Sequence, residues 1–316
     1  MDTTLILVGG VLFVLATATT VGQFLKRQRD VGINPALVQQ FNSRIRAWWL
    51  MCSVLGASFL LGSASRPAMV IVFGLLSFWA LREFVTLTPT RLGDHRALFW
   101  VFFLFTPLQY YLISTAHYGL YTVLIPVYGF LFIPARIALA GDYKRFLERV
   151  AKIQAGLMVC VYCLSHAPAI LYLNKGNDTG NENASLLFFF VLIAQLNDVL
   201  QYAWGKLLGK RPVAPAINPS RTWEGFVGGV LSSGLLGLAL YWATPFNAIE
   251  SAAMAMVISV MGFAGGMTMS AIKRDRGVRD YGTLVTGHGG VLDRIDSICF
   301  AAPVFFHLTR YLLEIP

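Results

Sequence analysis

About ten stretches of this chain are apolar over roughly the length needed to cross a bilayer, and no soluble fold accommodates that many. A membrane helix needs about 20 mainly apolar residues to span roughly 30 Å of hydrocarbon. The stretches lie near residues 3–23, 47–64, 67–87, 97–114, 119–139, 151–173, 185–204, 225–243, 251–270 and 295–313. The expected fold is therefore all-α: a polytopic transmembrane helical protein with about ten membrane helices. Composition agrees, because only 13% of the residues are charged, about half of what a soluble domain of this length carries.

The first stretch carries Asp2 and no Lys or Arg ahead of its apolar run. A secretory signal would need a positive n-region there, so the segment reads as a retained first helix. The formal charge of +9 raises the question of nucleic acid, and its distribution answers it. Placing helix 1 with its start outside puts the inside loops near 24–46, 88–96, 140–150, 205–224 and 271–294. Those loops and their flanks hold about 20 of the 25 Lys and Arg residues, while the outside loops hold about two, Arg66 and Lys175. This is the positive-inside asymmetry. It puts both termini outside, leaves no nucleic-acid partner to explain, and turns some of the basic residues toward anionic lipid headgroups. Cys160 and Cys163 form a C-x-x-C inside an apolar helix, with no second pair to complete a zinc site. They read as small packing residues.

Two regions differ in character. Residues 1–180 are hydrophobic helices joined by short basic loops, with no assignable motif. Residues 181–316 carry long inside loops rich in Gly, Pro and ionisable groups, so chemistry is expected there. A carboxylate at membrane depth is costly and normally faces a wet, paired or protein-lined site. Asn197-Asp198, roughly two turns from the inner end of helix 7, is such a place. Arg82-Glu83 near the inner end of helix 3 leaves two readings open. Either Glu83 is functional, or Arg82 snorkels while Glu83 bonds a neighbouring helix.

Downstream of Asp198 the chain reads Trp204-Gly205-Lys206, Gly209-Lys210-Arg211-Pro212 and Asn218-Pro219-Ser220-Arg221-Thr222-Trp223-Glu224-Gly225. The Pro-rich loop at 212–219 cannot be helical throughout. After it, Ser220 or Thr222 can cap the next helix, with Glu224 in its first turn. Arg221 beside that start suits a phosphate contact. The second block is denser: Ser270, Lys273-Arg274, Arg279-Asp280-Tyr281-Gly282, Gly287-His288-Gly289-Gly290 and Asp293-Arg294-Ile295-Asp296. If helical, Asp293 and Asp296 share one face and suit the helix dipole. Dipole preference does not explain why three aspartates alternate with Lys273, Arg274, Arg279 and Arg294. Carboxylates for Mg²⁺ beside cations for phosphate would require that mixture.

These two blocks resemble the phosphatidate cytidylyltransferase (CDP-diacylglycerol synthase) family over roughly residues 191–300. The resemblance rests on Ser270, Lys273-Arg274, Asp280, His288-Gly289-Gly290 and Asp293-Arg294-Ile295-Asp296, with Asn197-Asp198 and Thr222-Trp223-Glu224-Gly225 upstream. Arg279 stands where the family has Lys, exchanging a compact ammonium for a planar fork. Thr286 replaces its usual Pro or Gly. The resemblance implies a transferase condensing CTP with phosphatidate, or a related lipid phosphate, to give CDP-diacylglycerol and pyrophosphate. It implies Asp198, Asp280, Asp293 and Asp296 around Mg²⁺, with Mn²⁺ as a substitute and room for a second monovalent ion. Asp280, Asp293, Asp296 and Lys273 would carry catalysis. Asn197, Arg221, Thr222, Arg274, Arg279, His288 and Arg294 would contact substrate. The setting would be the inner membrane, with the site facing the cytoplasm. Two alternatives stay open: a CTP-dependent kinase of a lipid alcohol, and a non-catalytic scaffold or transporter derived from the family. Oligomeric state, a homodimer included, is open as well.

The topology has a direct test. Single cysteines placed in 271–294 should react with impermeant maleimide only from the cytoplasmic side; labelling from the periplasmic or extracellular side would invert the arrangement.

Overall fold

The computed structural model describes residues 9, 10, 12, 16, 17, 19, 20, 65–88, 90–173, 181–282 and 289–315. The chain divides into a unit Met1–Ala68 and a unit Met69–Pro316. In the first unit, the seven described residues between 9 and 20 are helical. The rest of the 3–23 stretch and all of 47–64 lie outside the described residues.

The second unit is built from long helices, as the apolar stretches require. In chain order they are α1 (Ser65–Leu87), α2 (Leu92–Ser114), α3 (Tyr118–Ala138), α4 (Phe146–Tyr172), α5 (Asn181–Leu207), α6 (Trp223–Ala239), α7 (Ala248–Asp275) and α8 (Leu292–Leu312). Six of these, α1 to α5 and α7, are long and apolar enough to cross a membrane. α6 has only 17 residues, and it ends four short of the 225–243 stretch. α8 carries Asp293, Arg294 and Asp296 in its first turns. The protein is accordingly an integral membrane protein with an almost wholly helical fold.

Helices α2, α3 and α4 each pass through a π-helical turn, at Val101–Phe105, Leu124–Gly129 and Met158–Cys163. Wide turns of this kind arise where the regular ladder is interrupted. Pro107 follows the first and Pro126 lies within the second. A proline lacks the N–H that an α-turn needs. In α2 the Thr106 hydroxyl donates to the Val101 carbonyl at 2.9 Å, beside the Thr106 N–H that bonds the same oxygen.

The sequence pattern also missed one element. Pro212–Ala214 (β1) and Asn218–Thr222 (β2) form an antiparallel hairpin between α5 and α6, with Pro212 opposite Thr222 and Ala214 opposite Asn218. Pro212 opens its strand, where a missing N–H is tolerated. The expectation that 212–219 is non-helical holds, and it takes the form of a strand pair.

Packing within the membrane depends on small residues and polar contacts instead of on burial from water. α5, α6 and α7 approach closely. A Cβ on Gly237 of α6 would lie 2.6 Å from both the Ala255 Cβ and the Ser251 carbonyl oxygen of α7. The Ser251 hydroxyl donates back to the Gly237 carbonyl at 2.9 Å, and the Trp204 indole of α5 donates to Ser232 of α6 at 2.8 Å. α1 lies against α2 and α4: Ser77 bonds Tyr110, and Phe84 fills the space over Gly156, where a Cβ would sit 2.8 Å from its ring. Cys160 is a buried thiol, in keeping with a packing role, while Cys163 is only partly buried.

One charged pair ties the first turns of α2 and α4. Arg149 donates from Nε to Asp94 Oδ1 at 2.9 Å, and from Nη1 to the carbonyls of Asp142 and Lys144 at 2.8 and 3.0 Å. Both side chains are buried, at 4% and 1% exposure. Removing one partner of a buried pair leaves the other charge uncompensated. Arg149→Met should therefore lower stability by about 3 kcal/mol, read as a fall in the thermal unfolding midpoint in detergent, and Asp94→Leu in the same chain should restore part of the loss.

Candidate functional site

The C-terminal half of α5 carries a polar face. Asn197 and Gln201 are four apart, and the Gln201 amide donates to Asn197 Oδ1 at 2.9 Å. Asp198 projects beside them. The hairpin returns the chain so that Arg221 meets this face. Its Nη2 donates to Asp198 Oδ1 at 2.8 Å and its Nη1 to Gln201 Oε1 at 2.6 Å. The hairpin is held against α7 by Asn218 donating to Ser270 Oγ at 3.4 Å and by Arg274 Nε donating to the Ile217 carbonyl at 3.1 Å. Thr222 caps α6 by accepting from the Gly225 N–H at 3.1 Å. Glu224 accepts from the backbone N–H groups of Lys210 and Arg211 at 3.1 and 3.2 Å. A bond from its own N–H first, and these two after it, hold its carboxyl below the ordinary range.

α8 crosses this assembly at its start. The Ser297 hydroxyl donates to Asp198 Oδ2 at 2.8 Å and lies 3.3 Å from Asp296 Oδ1. The Ser297 N–H also donates to Asp296 Oδ1, at 2.7 Å. Asp296 Oδ2 has no hydrogen-bond partner among the described residues. It opens, with Arg221, on Gly266 of α7: a Cβ there would lie 3.8 Å from Asp296 Oδ2 and 3.4 Å from Arg221 Nη2. Asp198, Arg221 and Asp296, contributed by α5, β2 and α8, thus converge on one point.

Asp293 behaves differently although it lies one turn away on the same helix. Its Oδ1 accepts from Lys273 Nζ at 2.8 Å, and its Oδ2 accepts from the Tyr281 and Gly290 N–H groups at 2.8 and 2.9 Å. Gly289 has φ +79°, in the left-handed region that suits glycine, and a Cβ there would strike Asp293 Oδ2 at 2.7 Å. The Tyr281 ring lies under Lys273, 5.5 Å from Nζ, and stacks on Phe84. Its hydroxyl donates to the Met269 carbonyl at 3.0 Å. Burial first, and Asp293 second, push that phenol up, so it stays a donor.

The residues expected from the sequence are therefore brought together unequally. Asp198, Arg221, Lys273, Asp293 and Asp296 meet in two adjoining clusters. Asn197 is fully buried, its carbonyl oxygen accepting from Ser259 and Gln201 and its amide donating to the Ser259 carbonyl. Thr222 and Arg274 hold the hairpin. Arg279 and Asp280 are exposed on the approach to Gly282, and Arg294 is half-buried, its carbonyl accepting from Gln195 Nε2 at 3.0 Å. His288, Gly287 and Thr286 lie outside the described residues. Gln201 and Ser297 were not anticipated, although each follows a singled-out aspartate by three residues and one residue.

Among the described residues, no three His, Cys, Asp or Glu side chains gather as a ready metal cage. Asp293 has both oxygens committed. The fit to a divalent ion rests on Asp296, with its open Oδ2, and on Asp198 beside it, which is engaged at both oxygens but would exchange only the neutral Ser297 hydroxyl for the ion. Mg²⁺ accepts so small a set, because it takes one or two carboxylates and completes its shell with water and phosphate oxygens.

Comparison with known proteins gives the family. A model of the cytidylyltransferase family matches residues 42–312. The uncharacterized protein YnbB of Escherichia coli (strain K12) is 39% identical over 269 residues, covering 85% of this chain and 87% of its own. Phosphatidate cytidylyltransferases of Staphylococcus aureus (strain COL) and Staphylococcus epidermidis (strain ATCC 35984) are 32% and 34% identical over 161 residues. Those alignments cover 49% of this chain and 61% of the relatives' length. The match begins upstream of α1 and ends at the last residue of α8, so α1 to α4 belong to it as much as the acidic blocks do. By that extent, the chain is a member of the cytidylyltransferase family.

Proposed function

We propose that this protein is a phosphatidate cytidylyltransferase of the inner membrane, with its site on the cytoplasmic side. The observation that carries this reading is the convergence of Asp198, Arg221 and Asp296 from three separate elements. A guanidinium and two carboxylates at one point suit a metal-bound polyphosphate. The positive-inside distribution of Lys and Arg supports the cytoplasmic placement, and the names of the Staphylococcus relatives support the substrate class.

In the reaction proposed, an oxygen of the lipid phosphate attacks the α-phosphorus of CTP. The new P–O bond forms in line as the bond from Pα to the bridging oxygen breaks, and pyrophosphate leaves with that electron pair. Chemistry of this type is mostly positioning and charge stabilisation. Asp296 and Asp198 are the residues that would hold Mg²⁺, which would neutralise charge on the leaving pyrophosphate. Arg221, fixed by Asp198 and Gln201, offers a planar donor to phosphate oxygens. Lys273 is the second cation, and Asp293 sets its position. Arg279 and Asp280 stand exposed on the cytoplasmic approach, where the triphosphate would arrive.

Incubating the purified protein in detergent with phosphatidate, Mg²⁺ and CTP labelled at the α-phosphate should move label into lipid and release pyrophosphate. Excess chelator should abolish this. Asp296→Asn should lower turnover at least about 100-fold, equivalent to roughly 2.7 kcal/mol of barrier, while the protein still inserts. Label passing from γ-labelled CTP to a lipid alcohol, with none entering lipid from the α-position, would replace this reading with a kinase.

A further inference from the structure

Glu83 is a buried carboxylate on α1, 5% exposed, far in sequence from every residue of the site. Its Oε1 accepts from the Val291 N–H at 3.0 Å and its Oε2 from the Leu292 N–H at 2.9 Å. These are amides at the start of α8, a helix that has no side-chain cap of its own. The first N–H groups of a helix lack internal partners, and a carboxylate there also meets the positive end of the dipole. A different helix supplies the cap, and does so inside the protein.

The backbone is shaped to admit that carboxylate. A Cβ on Gly282 would lie 2.7 Å from Glu83 Oε1, and a Cβ on Gly290 would lie 2.6 Å from Glu83 Cδ. Either would be far too close for any ordinary contact. Immediately beside it, Asp293 takes the Tyr281 and Gly290 N–H groups. Two carboxylates therefore bind four N–H groups flanking the α7–α8 connection, and one of them also holds Lys273. Phe84, the next residue on α1, stacks on Tyr281 at a ring separation of 6.4 Å. α1 thus touches both sides of the connection.

The geometry points to Glu83 as a positioning residue for the proposed cytidylyl transfer. It is an inter-helix cap that sets where α8 begins, and so where Asp293 and Asp296 stand relative to Lys273, Asp198 and Arg221. The inference rests on the proposed function for its catalytic part, but the clamp itself is independent of it. It also gives α1 a task. A carboxylate is required because both its oxygens accept; an amide would turn an NH₂ donor toward one of the two N–H groups.

The test combines exchange with kinetics. In Glu83→Gln, peptides covering 289–296 should exchange at least about tenfold faster with deuterium, while α5 and α6 keep wild-type protection. kcat/KM for label transfer from CTP should fall at least tenfold, because Asp293 and Asp296 are displaced from Lys273, Asp198 and Arg221. Gly290→Ala, which attacks the same contact from the other side, should reproduce both effects, and Glu83→Asp should recover part of kcat/KM. Unchanged protection at 289–296 in both variants would overturn the clamp. Faster exchange across all helices alike would reduce Glu83 to a general packing residue and also overturn the inference. Were the wild type inactive toward CTP and phosphatidate, the proposed function would fall, while the exchange measurement would still decide the clamp.

Discussion

The acceptance of two α8 amides by the Glu83 carboxylate is the contact on which the arrangement of the site depends. α8 carries Asp293, Asp296 and Ser297 within its first two turns, and nothing on α8 itself caps its start. Were the cap lost, two buried N–H groups would be left without acceptors, at a cost of about 1–3 kcal/mol each. A helix end relieving that cost by fraying or shifting would carry both aspartates with it. Asp296 would lose its place beside Asp198, and Lys273 would lose the carboxylate that holds it. A contact at the edge of the site therefore controls its centre.

The surroundings explain why the cluster is built from so many cross-links. Within a bilayer, helices gain little from burying apolar surface against one another, since lipid is equally apolar. Small residues let α5, α6 and α7 approach, and polar contacts between them then fix their register. The Asn197–Gln201–Ser259 contacts and the Ser297 bridge serve that end. They also hold the two carboxylates and Arg221 in fixed relation before any ligand arrives, which lowers what a ligand must spend on ordering the site.

Much of this was legible in the sequence, for physical reasons that differ by residue. Asp198 stands out because a charge inside an apolar stretch is costly enough to demand a reason. The helices α2 to α5, α7 and α8 follow from hydropathy, each within a few residues of its apolar stretch. Thr222 capping α6 is written in the local order of residues. By contrast, Gln201 and Ser297 are uncharged polar residues at helical spacing, and such residues carry no signal until a partner helix is placed against them. Asp293 and Asp296 looked equivalent by spacing. They differ because the chain before α8 folds back over the first turn, presenting the Tyr281 and Gly290 amides to one aspartate only. The hairpin at 212–222 was hidden because Pro and Gly mark where helix stops, not what replaces it. Glu83 does bond a neighbouring helix, and the consequence of that bond appears only once α8 is in place.

The claim at the centre of the account is that Asp198, Arg221 and Asp296, drawn from three elements, form one metal-dependent nucleotide site. Calorimetric titration of the detergent-solubilised protein with the α,β-methylene analogue of CTP, which cannot release pyrophosphate in the usual way, tests it without relying on turnover. Binding should require Mg²⁺ in the wild type and weaken at least tenfold, about 1.4 kcal/mol, in both Asp296→Asn and Arg221→Gln. Equal affinity in the wild type and both variants, or affinity indifferent to Mg²⁺, would contradict it.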